Sequence, residues 1–220
     1  MKTFFVLFAL LVIVLVVYPF FDQDEEKKTV SGLPWQIEIL PDGSTSVFGL
    51  QIASSRLSDA YDIIGNDMEL AIVAASGEAG SLEMYYGHYR AGLLSGKLVL
   101  QTSSAEQNIK RWRDNAIRSE YMATGKAKKY YLSPEDLPQV LQQVITGLTF
   151  IPAVNLDEEV ILARFGEPDQ RIAKVGMTHF LYPDKGLDVV LYKDAKDVMQ
   201  YVSPAVFQQL IAPLQAEPLQ

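Results

Sequence analysis

The chain has no cysteine, and only two histidines occur among its 220 residues. Disulfide bonds are therefore excluded, and so is the lipidated cysteine that anchors bacterial lipoproteins. His88 and His179 lie far apart in the sequence, with no acidic neighbour at metal-ligand spacing. A metal site built on them is not expected. Both histidines are more typical of strand or loop surfaces.

Motifs for nucleotide binding and for hydrolysis are also absent from the sequence. No Gly-x-Ser-x-Gly elbow occurs, residues 87–92 (GHYRAG) are followed by Leu93 instead of Lys-Ser/Thr, and residues 96–98 (GKL) lack the hydroxyl that holds Mg²⁺. Both glycine segments are more typical of turns between strands. The acids at 135–136 and 157–159 stand in predicted first helical turns, where negative charge offsets the helix dipole. We therefore expect no enzyme and no cofactor.

The longest apolar run, residues 4–21 (FFVLFALLVIVLVVYPFF), contains no charged residue. A helix of about 18 residues at about 1.5 Å per residue spans about 27 Å, close to the roughly 30 Å of a bilayer core. The bulky residues at 18–23 do not fit the small-x-small site of a cleaved signal peptide. We predict a single-pass signal anchor in the inner membrane, with Lys2 and the N-terminus in the cytoplasm and the C-terminal domain in the periplasm.

Basic residues are outnumbered in the rest of the chain. Residues 22–220 hold 27 acidic side chains and, once Lys2 is subtracted from the total of 19, 18 basic ones, a net charge of −9. This acidic balance argues against nucleic acid as a partner. The apolar content is that of a foldable chain, and about 200 residues suffice for one large domain or two small ones.

Alternation and turn chemistry predict strands in the first half of the chain. Residues 22–34 are charged and rich in turn formers, as in a linker. Residues 35–48 predict a β-hairpin around the turn at 41–44 (PDGS). Ser55 is placed to cap a helix through Ile64 that ends at Gly65. Strands are predicted over residues 70–74, 82–86 and 98–102.

Apolar residues at helical spacing predict two longer helices next. The first runs from residue 104 to about 124, and the second begins at Ser133, with proline in its first turn, and ends before Gly147. A further helix is predicted over 156–165, ended by Gly166. The remaining strands are predicted over residues 171–175, 178–182, 187–192 and 198–202.

The helix end and hairpin turn between residues 165 and 187 resemble a known family. Residues 165–169 (FGEPD) are followed by 182–183 (YP) and 186–187 (GL). This order is similar to that of the small outer-membrane lipoproteins of the barrel-assembly machinery (SmpA, also called BamE). The resemblance implies two helices followed by a three-stranded meander, a fold that occurs in tandem in the β-lactamase inhibitor protein. Residues 134–202 would be one copy and 48–102 a degenerate one, and no binding residues are carried over.

The predicted fold class is α+β: an N-terminal transmembrane helix, then two BamE-like units of a helix plus an antiparallel meander, joined by a helical pair. The predicted domain boundaries follow the same order along the chain. They are a cytoplasmic stub and transmembrane anchor over 1–21, a linker over 22–34, a hairpin, helix and three-stranded unit over 35–102, a helical segment over 103–149, a helix-plus-sheet unit over 150–213, and a tail over 214–220.

One basic, aromatic-rich stretch stands out in this acidic chain. A solvated helix face is the simpler explanation for it. The alternative is contact with anionic lipid headgroups, where each basic side chain contributes about 1 kcal/mol near the membrane surface, or with another envelope protein. The candidate interaction patch comprises Lys110, Arg111, Trp112, Arg113, Arg118, Lys126, Lys128, Lys129, Tyr130 and Tyr131.

Anchor, patch and missing catalytic motifs together favour one functional class. We expect a non-catalytic, membrane-tethered envelope (periplasmic) interaction or assembly module. An inhibitor or ligand-binding domain that acts on an envelope enzyme through exposed sheet faces is the alternative. An envelope hydrolase with an unrecognised site is a third and weaker hypothesis.

Overall fold

The structure is a computed structural model that describes residues 32–92, 94–123 and 125–216. Three short strands form a small sheet: β1 (Glu38–Ile39), β2 (Thr45–Val47) and β3 (Leu50–Gln51). Ten further strands of the described residues are β4 (Glu69–Ala75), β5 (Ser81–Ala91), β6 (Leu94–Thr102), β7 (Arg118–Tyr121), β8 (Ala127–Tyr131), β9 (Ile145–Pro152), β10 (Gln170–Lys174), β11 (Met177–Tyr182), β12 (Leu187–Tyr192) and β13 (Val198–Val202). They form one antiparallel sheet, the large sheet, in the order β10-β11-β12-β13-β9-β6-β5-β4-β8-β7.

Strand β9 joins two antiparallel meanders into the large sheet. Its Phe150 lies opposite Leu98 of β6 on one side and opposite Met199 of β13 on the other. Leu148 and Phe150 are buried in the main core, whereas Thr149 between them points to the other face, because side chains alternate along a strand. This alternation of buried and less buried residues is typical of a β-strand, and β9 is hydrogen-bonded to a neighbouring strand along both edges.

Helices lie on both faces of the large sheet. They are α1 (Leu57–Ile64), α2 (Glu106–Asp114), α3 (Leu137–Val140), α4 (Glu158–Phe165) and α5 (Phe207–Ala216). Residues of the small sheet and of α1 to α4 pack on one face in a single core, whose largest members include Trp112, Phe150 and Tyr201. On the opposite face, α5 packs through Phe207 and Ile211 against a separate apolar cluster.

Several local predictions are confirmed. Strands β1 and β2 pair antiparallel around the turn at 41–44, and strands β12 and β13 have the predicted bounds. Helix α4 is capped at its N-terminus by Asp157, whose carboxylate accepts a hydrogen bond from the Val160 N–H at 2.7 Å, and at its C-terminus by Gly166. The N-cap residue of helix α1 is Arg56 instead of the predicted Ser55, whose hydroxyl accepts a hydrogen bond from the Gln51 N–H.

The predicted fold class is wrong. The chain was expected to form two separate helix-plus-meander units joined by a helical pair, but the meanders are joined through β9 into one continuous large sheet. The predicted helical pair is not formed either, because each of its helices is shorter than predicted and is followed by a strand. Residues 104–123 contain the short helix α2 and then β7, the first strand of a hairpin, and residues 133–146 contain the single turn α3 and the start of β9.

These two errors have physical causes. Helix α2 ends at Asp114, and the residues that follow form the β7–β8 hairpin, whose strand β8 carries Tyr130 and Tyr131 and pairs with β4. Aromatic and β-branched residues pack well on a sheet surface, which outweighs their weak helical pattern. In the second segment, helix α3 ends after one turn, and the run from Ile145 onward forms β9, which has a hydrogen-bonded neighbour on each side.

The transmembrane and signal-anchor predictions receive no support. In the part of the chain that the structure describes, no helix is both long and apolar enough to cross a membrane. The predicted anchor at 1–21 lies outside the described residues.

Candidate functional site

The β7–β8 hairpin divides the predicted interaction patch between the two faces of the large sheet. Tyr130 lies opposite Ile72, a core residue, whereas the adjacent Tyr131 lies opposite Ala71 and Arg118. Because strand residues alternate, Lys128 and Tyr130 share the face on which α2 lies, and Lys129 and Tyr131 share the opposite face. Basic and aromatic residues that are close in sequence therefore lie on two different surfaces.

On the α2 side the patch forms a cleft of about 490 Å³ between α2, the β4–β5 turn and the β7–β8 hairpin. We call it the basic cleft. Its floor consists of small residues at positions 74–77 and 79, and its lining holds four basic side chains against two acidic ones, Glu78 and Glu106. The basic and aromatic residues that line it are Lys110, Arg113, Lys126, Lys128, Tyr121 and Tyr130.

Neighbouring groups orient the cations of the basic cleft. The Arg113 guanidinium donates hydrogen bonds to the carbonyl oxygens of Glu78 at 3.0 Å and Ala79 at 3.3 Å. The Lys128 ammonium lies 4.5 Å from the centre of the Tyr121 ring. Lys110 pairs with Glu106 at 2.6 Å, and the hydrogen bond lowers the pKa of that carboxyl.

Arg111 and Trp112 point away from the basic cleft. The Trp112 side chain is fully buried in the main core, and its indole N–H has no hydrogen-bond partner among the described residues. Arg111 donates a hydrogen bond to the Gln139 side chain and stacks over the Trp112 ring. Helix α2 therefore uses these two residues for packing and for contact with the α3 segment.

On the opposite face, the remaining patch residues are paired with acids or aromatic rings. The Arg118 guanidinium lies 3.9 Å from the centre of the Tyr131 ring. The Lys129 ammonium bonds Glu69 at 2.6 Å, which raises the pKa of Lys129. The Tyr131 hydroxyl donates to the Glu120 carboxylate, and this hydrogen bond raises the pKa of Tyr131. Glu69 and Glu120 thus offset much of the positive charge of this face.

Sequence reasoning missed a second basic site, at an irregularity in β5. Residues 87–92 and 96–98 lie mostly within β5 and β6, so their prediction as turns between strands is wrong. The register shifts between Tyr86 and Tyr89, so that Gly87 and His88 stand opposite the single residue Lys97. This is the arrangement of a β-bulge. A glycine within an alternating strand pattern is the sequence signal that could have indicated it.

The two histidines differ in environment. His88 is exposed, as predicted, but His179 is buried and its Nδ1 lies 2.8 Å from Oδ2 of the buried Asp188. The prediction of a surface histidine is therefore wrong for His179. The predicted hairpin around 183–186 contained the relevant signal, because that register brings residues 179 and 188 together diagonally. Within the described ranges, no group of three or more His, Asp or Glu side chains could hold a metal ion.

No family model matches the chain, and no curated protein or solved structure matches it either. The resemblance to the barrel-assembly lipoproteins therefore stays a prediction.

Proposed function

We propose that this chain is a non-catalytic interaction module whose basic cleft binds an extended acidic segment of a partner protein. The observation that carries the proposal is the convergence of four basic side chains on one cleft in a chain of net charge −8. Carboxylate groups of the segment would accept charge-assisted hydrogen bonds from these side chains, which are stronger than bonds between neutral groups.

The cations are partly preorganised for this contact. Arg113 is oriented by two carbonyl oxygens and Lys128 by the Tyr121 ring, so both lose little side-chain freedom on binding. Lys110 is held by Glu106 alone, in a pair whose two side chains are more than half exposed. Exposed pairs of this kind contribute only about 0–1 kcal/mol, so Lys110 exchanges its partner at little cost.

Apolar side chains beside the cleft favour a protein partner over a small anion. Ile117, Tyr121 and Met122 are exposed on and beside β7. Strand β7 is the last strand of the large sheet and, within the described residues, pairs only with β8. Its outer edge therefore offers backbone hydrogen-bonding groups to an extended segment. A small anion would use neither the apolar side chains nor this edge.

Photocrosslinking from the rim of the cleft tests the proposal. A photoreactive benzoylphenylalanine replaces Tyr121 in the full chain in cells, and a second strain carries it in place of the exposed Val175 at the β10–β11 turn. We expect one protein adduct that forms at position 121 and not at 175. Mass spectrometry should map that adduct to a segment rich in Asp and Glu.

Charge reversal supplies the control. Lys126→Glu with Lys128→Glu should abolish the adduct, because both residues line the cleft. Lys193→Glu should leave it unchanged, because Lys193 follows β12 and does not line the cleft. A lipid adduct, no adduct, or a protein adduct that survives the Lys126 and Lys128 reversal would each refute the proposal.

The periplasmic location at the inner membrane stays a prediction. It depends on residues that precede position 32, outside the described part of the chain. Binding of an acidic segment by the basic cleft does not depend on that location.

A further inference from the structure

A second site, independent of the basic cleft, lies at the bulge of β5. There the structure has a pocket of about 550 Å³, bounded by the bulge, by β6 and by the end of β9. Lys97 lies directly opposite Ile151, and Arg90 lies opposite Ser95. Since residues 95 and 97 are two apart on a regular strand, Arg90, Lys97 and Ile151 share one face of the sheet. We call this pocket the bulge pocket.

The bulge pocket itself holds no counter-charge for its cations. Lys97 also lines an adjoining pocket with Asp67 and Glu69, and Glu69 there pairs with Lys129. Among the described residues, the side chains of Arg90 and Lys97 make neither an ion pair nor a hydrogen bond. The Lys196 ammonium bonds only neutral oxygens, the Ala153 carbonyl at 2.6 Å and the Asn155 side chain at 3.2 Å. Of the described residues that line the pocket, none is Asp or Glu. Three cations without a carboxylate are unusual in a chain with 27 acidic and 19 basic residues.

The surface between these cations is mostly apolar. Ile151, Pro152 and Ala153 form one wall, and Gly87 of the bulge adds no side chain to fill the space. An inorganic anion would leave this wall exposed to water, whereas an uncharged apolar ligand would leave the cations unused. A ligand with both an apolar body and one anionic group satisfies both parts of the pocket.

We propose that the bulge pocket binds a small amphipathic carboxylate, with its carboxylate between Arg90 and Lys97 and its alkyl or aryl body along Ile151 and Pro152. Arg90 is suited to a bidentate contact with a carboxylate, and Lys97 supplies a second charge from the neighbouring strand. The pocket volume is within the range of about 300–1,000 Å³ typical of small-ligand sites.

Calorimetric titration of the full chain with decanoate, below the concentration at which decanoate forms micelles, tests this proposal. We expect one decanoate per chain, and 1-decanol of equal chain length should bind at least about tenfold more weakly, as expected for the loss of charge-assisted hydrogen bonds. In ¹⁵N-resolved NMR spectra, decanoate should shift the amide signals of Gly87, Ser95 and Ala153. Equal binding of decanoate and decanol would overturn the assignment of the carboxylate.

Matched variants locate the site. Arg90→Gln with Lys97→Gln should weaken decanoate binding by at least about tenfold. Arg118→Gln with Lys193→Gln removes the same charge from residues outside the pocket and should leave decanoate affinity unchanged. Ile151→Ser should weaken decanoate binding but leave the much weaker binding of acetate as it is.

Three outcomes contradict the proposal. The first is that decanoate does not bind. The second is that Arg90→Gln with Lys97→Gln leaves decanoate affinity unchanged. The third is that decanoate shifts only amide signals of the basic cleft. A far-ultraviolet circular dichroism spectrum that matches the unsubstituted chain confirms that each variant is folded. Because the two sites share no lining residue, failure here leaves the acidic-segment proposal untouched, and the reverse also holds.

Discussion

Gly186 occupies the tightest backbone position of the β11–β12 turn. Its φ angle is +64°, in the left-handed region, and a Cβ atom placed on it would lie 2.0 Å from the Val202 carbonyl oxygen. The sequence indicated a turn with glycine here, because Pro-Asp-x-Gly is typical of turns. It did not indicate the close approach of Val202, a residue of β13 that reaches this turn only after the sheet has formed.

Gly186→Ala should therefore destabilise the protein more than its matched control, Gly176→Ala. Gly176 also has a positive φ, +79°, but its Cβ would meet nothing within 4 Å. We expect Gly176→Ala to cost about 1 kcal/mol of unfolding free energy from backbone strain, and Gly186→Ala about 2–4 kcal/mol once steric overlap is added. Urea unfolding at pH 7 measures both, and equal losses would contradict the steric argument.

Local sequence patterns predicted some helices and strands correctly and others wrongly. Helix α4 was found because its aspartate cap and its terminal glycine are both local features of the chain. Strand β9 was not, because its identity as a strand depends on β6 and β13, whose pairing with it involves residues about 50 positions away. The candidate patch was defined by proximity in sequence, and the alternation of β8 divided it. The bulge pocket assembles four separate segments of the chain, so no single stretch indicated it.

The cap of α4 allows a test at the level of one helix. Asp157→Ala removes the carboxylate that accepts the Val160 N–H at 2.7 Å, and the loss of an N-cap costs about 1 kcal/mol. Glu159→Ala removes an acid from the same turn but no cap, so it should cost about 0.3–1 kcal/mol at most. Thermal unfolding followed by circular dichroism should rank the two variants in this order, and the reverse order would show that the cap is not the main contribution.

The continuity of the large sheet predicts cooperative unfolding of the described part of the chain. The centre of the Trp35 ring lies 4.7 Å from the guanidinium of Arg164 in α4, and Trp112 is a buried residue of α2. The two indoles therefore report on different halves of the sheet. In the single-tryptophan variants Trp35→Phe and Trp112→Phe, the fluorescence and circular dichroism transitions in urea should coincide. Separate midpoints within one variant would mean that the halves unfold independently.

Buried tyrosines should make the protein sensitive to alkali. Burial raises the pKa of Tyr86, Tyr89 and Tyr182 to about 12, and it also raises the pKa of Tyr201. The usual value is 10.0, so between pH 10 and 12 the folded chain keeps protons that the unfolded chain releases. Stability from these groups is therefore complete below pH 10 and declines as the pH rises through 12.

Unfolding free energies measured at pH 9 and pH 12 test this expectation. Tyr86 is almost fully buried, and a shift of two pKa units corresponds to roughly 2–3 kcal/mol. Tyr86→Phe should therefore reduce the loss between the two pH values by about 2 kcal/mol. The same variant should lower stability at pH 7, because the Tyr86 hydroxyl donates to the carbonyl oxygens of Gly65 and Ala60. If Tyr86→Phe and the unsubstituted chain lose the same unfolding free energy between pH 9 and pH 12, the raised pKa of Tyr86 is not the cause of the loss.

The position of β9 between β6 and β13 also has a consequence during synthesis. Strand β6 is made before β9, but β13 follows about 50 residues later. At a translation rate of about 5–20 residues per second, one edge of this apolar strand stays unpaired for about 3–10 s, until β13 has been synthesised. Over that interval the nascent chain presents an unpaired edge to its surroundings, and the risk of aggregation, or the need for a chaperone, is concentrated between the emergence of residues 152 and 198.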